Sequence, residues 1–366
     1  MLDAPRSLIE FLFSTFWYDH FVSRTKTVSR VRSRETRRVA IYLIFPQRGL
    51  LASHLYAIKY LIENGFEVVV VSNCKLVEPD KKELLHLVWI VIERPNYGYD
   101  FGGYRDALLE IASEFKQLDR LILLNDSTWF PLPQTANWVA DVEKLNVDFC
   151  GAVSAYGVER QQAKRYGNID WSYSTVHRNF NYCSFALAFS NNVLIDPGFL
   201  KFWRQLRLTN RKNKTVRRGE IGLTQWVIKR DFSHACTFDV PAMRAHLESL
   251  PVLRLAEIVQ RMILPAESEP AQTKSSILSA MEMTETWRLM AINYVLSCAA
   301  LHGISYSTAE FNIHEMRFPF LKKVPLWAGQ ESSQISLSII DGLEEPAKAM
   351  IKTEALSLRE RLKPSK

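Results

Sequence analysis

Apolar residues fall in two unbroken runs near the start of the chain. Residues 39–45 read VAIYLIF and end at Pro46; residues 66–72 read FEVVVVS. Such runs, without alternation, predict strands buried on both faces, as in a parallel sheet. Between them Leu51, Leu55, Ile58 and Ile62 recur at helical spacing, and Asn64-Gly65 is a stop signal. The strand–helix–strand order with short links predicts a right-handed parallel crossover. A third strand is expected over Val88 to Glu93, an exit loop over Pro95 to Gly103, a helix from Tyr104 to about Phe115, and a fourth strand in DRLILL, 119–124.

Beyond Asp126 the rhythm changes. VDFCGAVS (147–154) and CSFALAFS (183–190) read as strands, separated by the polar and aromatic stretch 155–182. Pro197 opens a helix through about Leu208, a basic loop follows, Glu220 to Arg230 reads as another helix, and 235–239 as a last short strand. After Val240 the composition is helical over 252–264, 276–302 and 343–362, with a linker at 265–275. The expected organisation is an N-terminal segment 1–38, an α/β domain 39–240 and a mainly helical region 241–366.

The formal charge of +7 and pI near 9.1 favour an anionic partner. The surplus is concentrated. Residues 24–38 hold seven Lys and Arg against the single acid Glu35, and Arg211, Lys212, Lys214, Arg217 and Arg218 form a second run without an acid. Neither run is interleaved with stacking aromatics, which argues against nucleic acid. The isolated cysteines, odd in number, suit buried thiols in a reducing compartment. No apolar stretch is long enough to span a bilayer, and the N-terminus lacks the features of a secretory signal. Residues 8–22, LIEFLFSTFWYDHFV, are rich in aromatics and precede the first basic run. Two readings stand: a peripheral membrane contact through 8–38, or a helix packed on the main domain with a solvated basic linker.

Candidate chemistry gathers in 91–128, where a strand, a glycine-rich turn, a helix and a second strand end in Asn125-Asp126-Ser127. Open α/β sheets bind ligands at such strand ends. Asp126 is placed to anchor a divalent cation, Mg²⁺ or Mn²⁺, with Asn125 as a weaker oxygen donor; capping of the next turn is the structural alternative. In NYGYDFGGYRD, residues 96–106, Gly98, Gly102 and Gly103 allow close backbone approach. Asn96 and Asp100 add polar groups, and Arg105 adds a cation near a helix start, a combination suited to phosphate. A tight turn with inward-facing aromatics is the alternative. Glu220, beside Gly219, is the candidate general base; a carboxylate complementing a helix dipole would look the same. The histidines show no metalloprotease spacing, and no GxSxG elbow is present. Tyr156, Tyr166, Trp171 and Tyr173 form either a sugar platform or loop packing.

The segments NYGYDFGGYRDAL, LILLNDSTWFPL, Phe202-Trp203 and GEIGLTQ resemble the rhamnan synthesis protein F family over roughly 39–240. More distantly, 96–127 looks like family 2 glycosyltransferases of GT-A fold: Asn96, Gly98 and Arg105 match their loop, Asp106 replaces a second Asn, and Asn125-Asp126-Ser127 stands for D-x-D. The tripeptide keeps one acid, Asn181-Tyr182-Cys183-Ser184 replaces a His-Leu-Gln-Ser segment, and the second strand ends in Ser72-Asn73 without an acid. The resemblance implies a GT-A-like (Rossmann-like) α/β fold with a mostly parallel sheet and a helical C-terminal extension. It also implies transfer of a rhamnose-like sugar from a nucleotide diphosphate donor to a polysaccharide, lipopolysaccharide or lipid-linked precursor, at the cytoplasmic face of the membrane. Asn96, Gly98, Asp100, Gly102, Gly103, Arg105 and Asn125 would then hold the donor, Asp126 the metal, and Glu220 would be the base of an inverting displacement. The alternative is a non-catalytic carbohydrate-binding or assembly protein on the same fold.

Overall fold

The computed structural model describes residues 14–31, 33–164, 166–265 and 268–360. They form two compact units. The first draws on Met1–Asp126, Val142–Ala152 and Asn181–Cys236, and the second on Ser127–Asp141, Val153–Phe180 and Thr237–Lys366.

The first unit is built on an eight-stranded sheet. In chain order its strands are β1 (Thr27–Arg30), β2 (Arg38–Ile44), β3 (Glu67–Ser72), β4 (Ile90–Glu93), β5 (Arg120–Asn125), β6 (Phe149–Gly151), β7 (Ala186–Ser190) and β8 (His234–Cys236). Their order across the sheet is β1-β4-β3-β2-β5-β7-β6-β8. β4, β3, β2 and β5 are mutually parallel. β7 runs antiparallel to β5 and β6, β8 is parallel to β6, and β1 closes the other edge antiparallel to β4. This is the GT-A-like, Rossmann-like α/β architecture expected from the sequence. β3, β4 and β5 are buried along their whole length, and β2 from Val39 onward, which is why their sequences do not alternate.

Three crossover helices join the parallel strands: α1 (Ala52–Glu63), α2 (Glu78–Leu87) and α3 (Tyr99–Glu110). α3 begins five residues earlier than the sequence predicts, because Gly98 takes a left-handed φ of 75° and turns the chain straight into the helix. The glycine-rich stretch is therefore mostly helix. Further along lie α4 (Pro197–Gln205), α5 (Lys212–Val216), a π-helical turn over Arg217–Ile221 and α6 (Gly222–Ile228). The basic stretch after α4, expected as a loop, thus includes helix. The basic run near the N-terminus is not a bare linker either, since β1 lies within it and pairs with β4.

β3 and β4 lie on one side of β2, and β5 lies on the other. The chain therefore reverses its direction of travel across the sheet at the β2–β5 boundary. Loops leaving two such strands diverge and open a crevice at their C-terminal ends. The register sets Leu43 opposite Asn125 and Ile44 opposite Ser72, so these ends are level.

The second unit is mainly helical, with Val252–Gln260, Glu269–Ser279, Glu285–His302, Gln330–Asp341 and Ala347–Arg359 as its longer helices. The expected linker at 265–275 is partly the second of these. A short ladder pairs Thr128–Trp129 with Leu321–Lys322, the Trp129 indole N–H donates to Glu354 at 3.0 Å, and Phe130 stacks on Phe320 at 4.4 Å.

Candidate active site

Asp126 directly follows β5 at the crevice. Its Oδ2 accepts the Phe45 backbone N–H at 2.8 Å and lies 3.2 Å from Nε2 of His54. Phe45 is the residue after β2, so the carboxylate bridges the two strand ends that define the switch point. His54 comes from the first turn of α1 and is buried. Its Nδ1 accepts the Leu51 N–H at 3.2 Å, which leaves the ring proton on Nε2, aimed at Asp126. The sequence offers no spacing signal for His54, because its partner is 72 residues away.

A second carboxylate, Asp100, reaches the end of β5 from α3. Asp100 accepts from the Asn125 side-chain amide at 3.0 Å. One turn later Tyr104 is fully buried and its hydroxyl donates to the Ser184 carbonyl at 2.9 Å. Burial, then the negative charges of Asp100, Asp126 and Glu220, push the Tyr104 phenol well above its ordinary value. Tyr104 and Glu220 both bond Ser184, and Asn125, which bonds Asp100, donates its backbone N–H to the next carbonyl, that of Phe185, at 3.1 Å.

Glu220 lies in the π-helical turn, half-buried. Its Oε1 accepts both the backbone N–H of Ser184 at 2.9 Å and the Ser184 hydroxyl at 2.5 Å. Such turns widen a helix locally and recur at functional positions. Gly219 is needed beside it, because a methyl there would lie 2.3 Å from the Phe101 ring.

Arg105 does not join this group. An α-helix turns about 100° per residue, so Asp100 and Tyr104 share one face and position 105 looks elsewhere. Its guanidinium grips Asp19 at 2.6 and 2.9 Å and donates to the carbonyls of Trp203 and Arg204. Because α3 starts at Tyr99 and not at Tyr104, Arg105 stands in its second turn and not at its N-terminus, with its guanidinium bonded to the protein. The glycines also have packing reasons. A methyl at Gly103 would lie 1.9 Å from Cδ1 of Leu43, and one at Gly102 2.1 Å from the Tyr97 carbonyl oxygen. Gly103 lets α3 settle on β2, and Gly102 lets the loop before α3 fold back on the helix. Asn96 is exposed.

Behind this helix is a buried polar network that the sequence did not announce. Arg94, just past β4, reaches Asp106 at 2.6 Å, Asn73 at 2.6 Å, the Tyr97 carbonyl at 2.6 Å and the Tyr18 hydroxyl at 2.9 Å. Tyr18 also bonds Asp106 and stacks on Tyr97 at 5.1 Å. Burial, reinforced by Asp106, raises the Tyr18 phenol. The loop preceding α3 is thus held from below by Arg94 and from the N-terminal side by Tyr18.

A cavity of about 290 Å³ in the first unit is lined in part by Phe45, whose backbone N–H donates to Asp126. Phe45, Gln47, Cys74, Lys75, Leu76 and Asp80 line it. Lys75 is exposed at its margin, and burial raises the Cys74 thiol, with the charge of Asp126 adding to the rise. Among the described residues no group of three or more His, Cys, Asp or Glu is arranged to hold a metal ion. Asp126 is a single strand-end carboxylate and by itself would supply a divalent cation with few of the oxygen ligands it needs.

The family model described as rhamnan synthesis protein F matches residues 68–266, more than half of the chain. The chain belongs to this family. A relative in Sinorhizobium fredii, the uncharacterized protein y4gN, is 32% identical over 208 residues, covering 57% of this chain and 50% of that protein. The chain thus spans half the length of the curated relative it matches. Among solved structures, the mannosyltransferase Ktr4p from S. cerevisiae is similar over 52% of this chain and 64% of that chain, at 10% identity and a TM-score of 0.27. Core-mannan synthase A from Aspergillus fumigatus, in its Mn/GDP form, is similar over 52% and 72%, at 10% identity and a TM-score of 0.28. The architecture of this rhamnan synthesis F protein rests on its own strand order, not on these two likenesses.

The family match includes Asp100, Asp126 and Glu220, and stops short of His54. The aromatics of 155–182 in this family member divide. Tyr156 lines a cavity of about 720 Å³ in the second unit and stacks on His177 at 5.3 Å. Tyr166 packs on Tyr294, the Trp171 indole donates to the Val240 carbonyl, and Tyr173 bonds Ser154. These three make contacts within the second unit. No helix among the described residues is long and apolar enough to cross a membrane.

Proposed function

We propose that the chain is a glycosyltransferase of polysaccharide synthesis. It takes a rhamnose-like sugar from a nucleotide diphosphate donor and passes it, with inversion, to a hydroxyl of a growing saccharide or lipid-linked saccharide. The observation that carries this reading is Asp126, held at the β2–β5 switch point by Phe45 and His54, with Asp100 bonded to the neighbouring Asn125 and Glu220 bonded to Ser184, whose carbonyl accepts from Tyr104.

In this reading the crevice at the ends of β2 and β5 receives the donor. The 290 Å³ cavity lies at the lower edge of the roughly 300–1,000 Å³ typical of ligand sites, a size suited to base and ribose. Lys75 at its margin supplies the cation that Arg105 does not. Asn125 and Asp100 form the wall under the sugar, and the backbone of 96–98 its entrance. Asp126 would hold Mg²⁺ or Mn²⁺ arriving with the diphosphate, and the cation would neutralise the charge that grows on the leaving group. Asp126 is suited to this because His54 and Phe45 fix one oxygen and so fix the direction of the carboxylate.

Glu220 is the base. As the acceptor oxygen bonds to the anomeric carbon, the bond from that carbon to the diphosphate breaks and the hydroxyl proton passes to Glu220. Ser184 holds one carboxylate oxygen with two hydrogen bonds, which keeps the group from rotating away.

The test is direct. Purified chain is incubated with dTDP-rhamnose and Mn²⁺, with and without a rhamnose-terminated oligosaccharide, and both nucleoside diphosphate release and saccharide elongation are measured. Acceptor-stimulated release with a lengthened product is expected. Donor binding without turnover for any nucleotide sugar would instead favour a non-catalytic binding protein.

A further inference from the structure

The N-terminal helical segment has two unlike faces. Residues 14–17 are helical and continue into a π-helical turn over Tyr18–Val22. One face is fastened to the first unit. Ser14 Oγ donates to the Leu208 carbonyl at 2.7 Å, the Leu208 N–H donates to Thr15 Oγ1 at 2.9 Å, Tyr18 enters the Arg94 network, and Asp19 is clamped by Arg105. The other face carries Phe16, Trp17 and Phe21, each more than half exposed. Phe16 stacks on His20 at 4.0 Å and Trp17 on Phe21 at 4.5 Å, so the exposed rings form one contiguous face. A contiguous exposed apolar patch marks an interaction surface.

Charge identifies the occupant. From residue 14 to 31 the one acid is Asp19, which Arg105 already holds; Lys26 and Arg30 pair with Glu110, and Arg24 is exposed. The segment hydrogen-bonded to this helix, 201–218, has eight Lys and Arg and no acid. Arg204, Arg207, Arg211 and Lys212 on it are exposed. A second copy of the chain would bring these like charges together. A negatively charged lipid surface would be attracted by them, while aromatic side chains settle at the headgroup level. We infer that Phe16, Trp17 and Phe21, flanked by the 204–212 cations, dock the protein on an anionic lipid surface. The inference stands apart from the transfer reaction, since it uses none of Asp126, Asp100 or Glu220.

Flotation of the full chain with lipid vesicles tests it. One set is phosphatidylcholine alone, the other an equal mixture with phosphatidylglycerol. The chain is expected to float with the anionic set and to be released by high salt. F16S/W17S/F21S should lower the bound fraction roughly tenfold or more while keeping the parent's thermal midpoint, because the three side chains are exposed. R204Q/R207Q/R211Q, which leaves the aromatics intact, should lose the preference for anionic vesicles. Failure of the parent chain to float would overturn the inference. So would wild-type flotation by both variants, or a parent dimer that the aromatic variant dissociates, or tighter binding of an oligonucleotide than of anionic vesicles.

Discussion

The Phe45 backbone N–H donates to Oδ2 of Asp126 at 2.8 Å. This bond ties the residue after β2 to the residue after β5, two strands that are neighbours in the sheet yet about eighty positions apart in the chain. It makes Asp126 part of the crevice wall and not an ornament of a turn. His54 repeats the constraint from α1. A carboxylate so oriented suits a ligand that approaches along the strand direction.

Glu220 is assigned as the base, so Glu220→Gln should keep donor affinity and lose turnover. A fall in kcat of roughly a hundredfold to ten-thousandfold is expected, with donor binding by calorimetry unchanged. Unchanged kcat would remove Glu220 from the proton path.

Gly103 is assigned to packing and not to ligand contact. Gly103→Ala drives a methyl to 1.9 Å from Leu43 Cδ1 and should cost about 1–3 kcal/mol by denaturant unfolding. Adding Leu43→Ala should recover part of that loss. A stable Gly103→Ala protein with weakened donor binding would instead put Gly103 in the site.

Arg94 is fully buried and its partner Asp106 nearly so. Arg94→Met would strand that carboxylate, and a loss of about 3–5 kcal/mol is expected. Tyr18→Phe removes a smaller share of the network and should cost about 1–2 kcal/mol. Equal stability of all three proteins would show the network to be incidental.

His234 lies on β8 with Nδ1 2.8 Å from the Tyr182 hydroxyl, and burial holds its pKa below the ordinary 6.5. The unfolded chain therefore takes up the proton first. This contribution to stability is complete above about pH 6.5 and is lost as pH falls through the depressed folded value. His234→Asn should flatten the decline in thermal midpoint below pH 6.5, and an unaltered pH profile would contradict the assignment.

Much of the first unit could be read from the chain, for a simple reason. β2, β3 and β5 are buried on both faces, so burial alone spells them as unbroken apolar runs. Asp126 was legible because it directly follows such a run. The helix start was displaced because the glycines of NYGYDFGGYRD suggest a loop as far as Gly103, whereas Gly102 and Gly103 lie inside α3 and pack closely on Tyr97 and Leu43, which moves Arg105 from the first turn to the second. His54, Arg94, Tyr18 and Lys75 left no trace, since each acts through a partner or a cavity assembled by the fold. The residues of 24–38 look like a solvated linker, yet β1 forms there because β4 offers an open edge. Of the proposed membrane segment, residues 8–13 lie outside the described residues, and the aromatic face at 16, 17 and 21 is what the structure adds.

The central claim is that Asp126 helps to bind a nucleotide diphosphate at the β2–β5 crevice. Calorimetric titration of dTDP with Mn²⁺ into the wild-type chain and into Asp126→Asn, at matched thermal stability, tests it most directly. Saturable binding by the wild type, weakened at least roughly tenfold in the variant, is the predicted result. Equal affinity in both proteins, or no binding of any nucleoside diphosphate by the wild type, would contradict it.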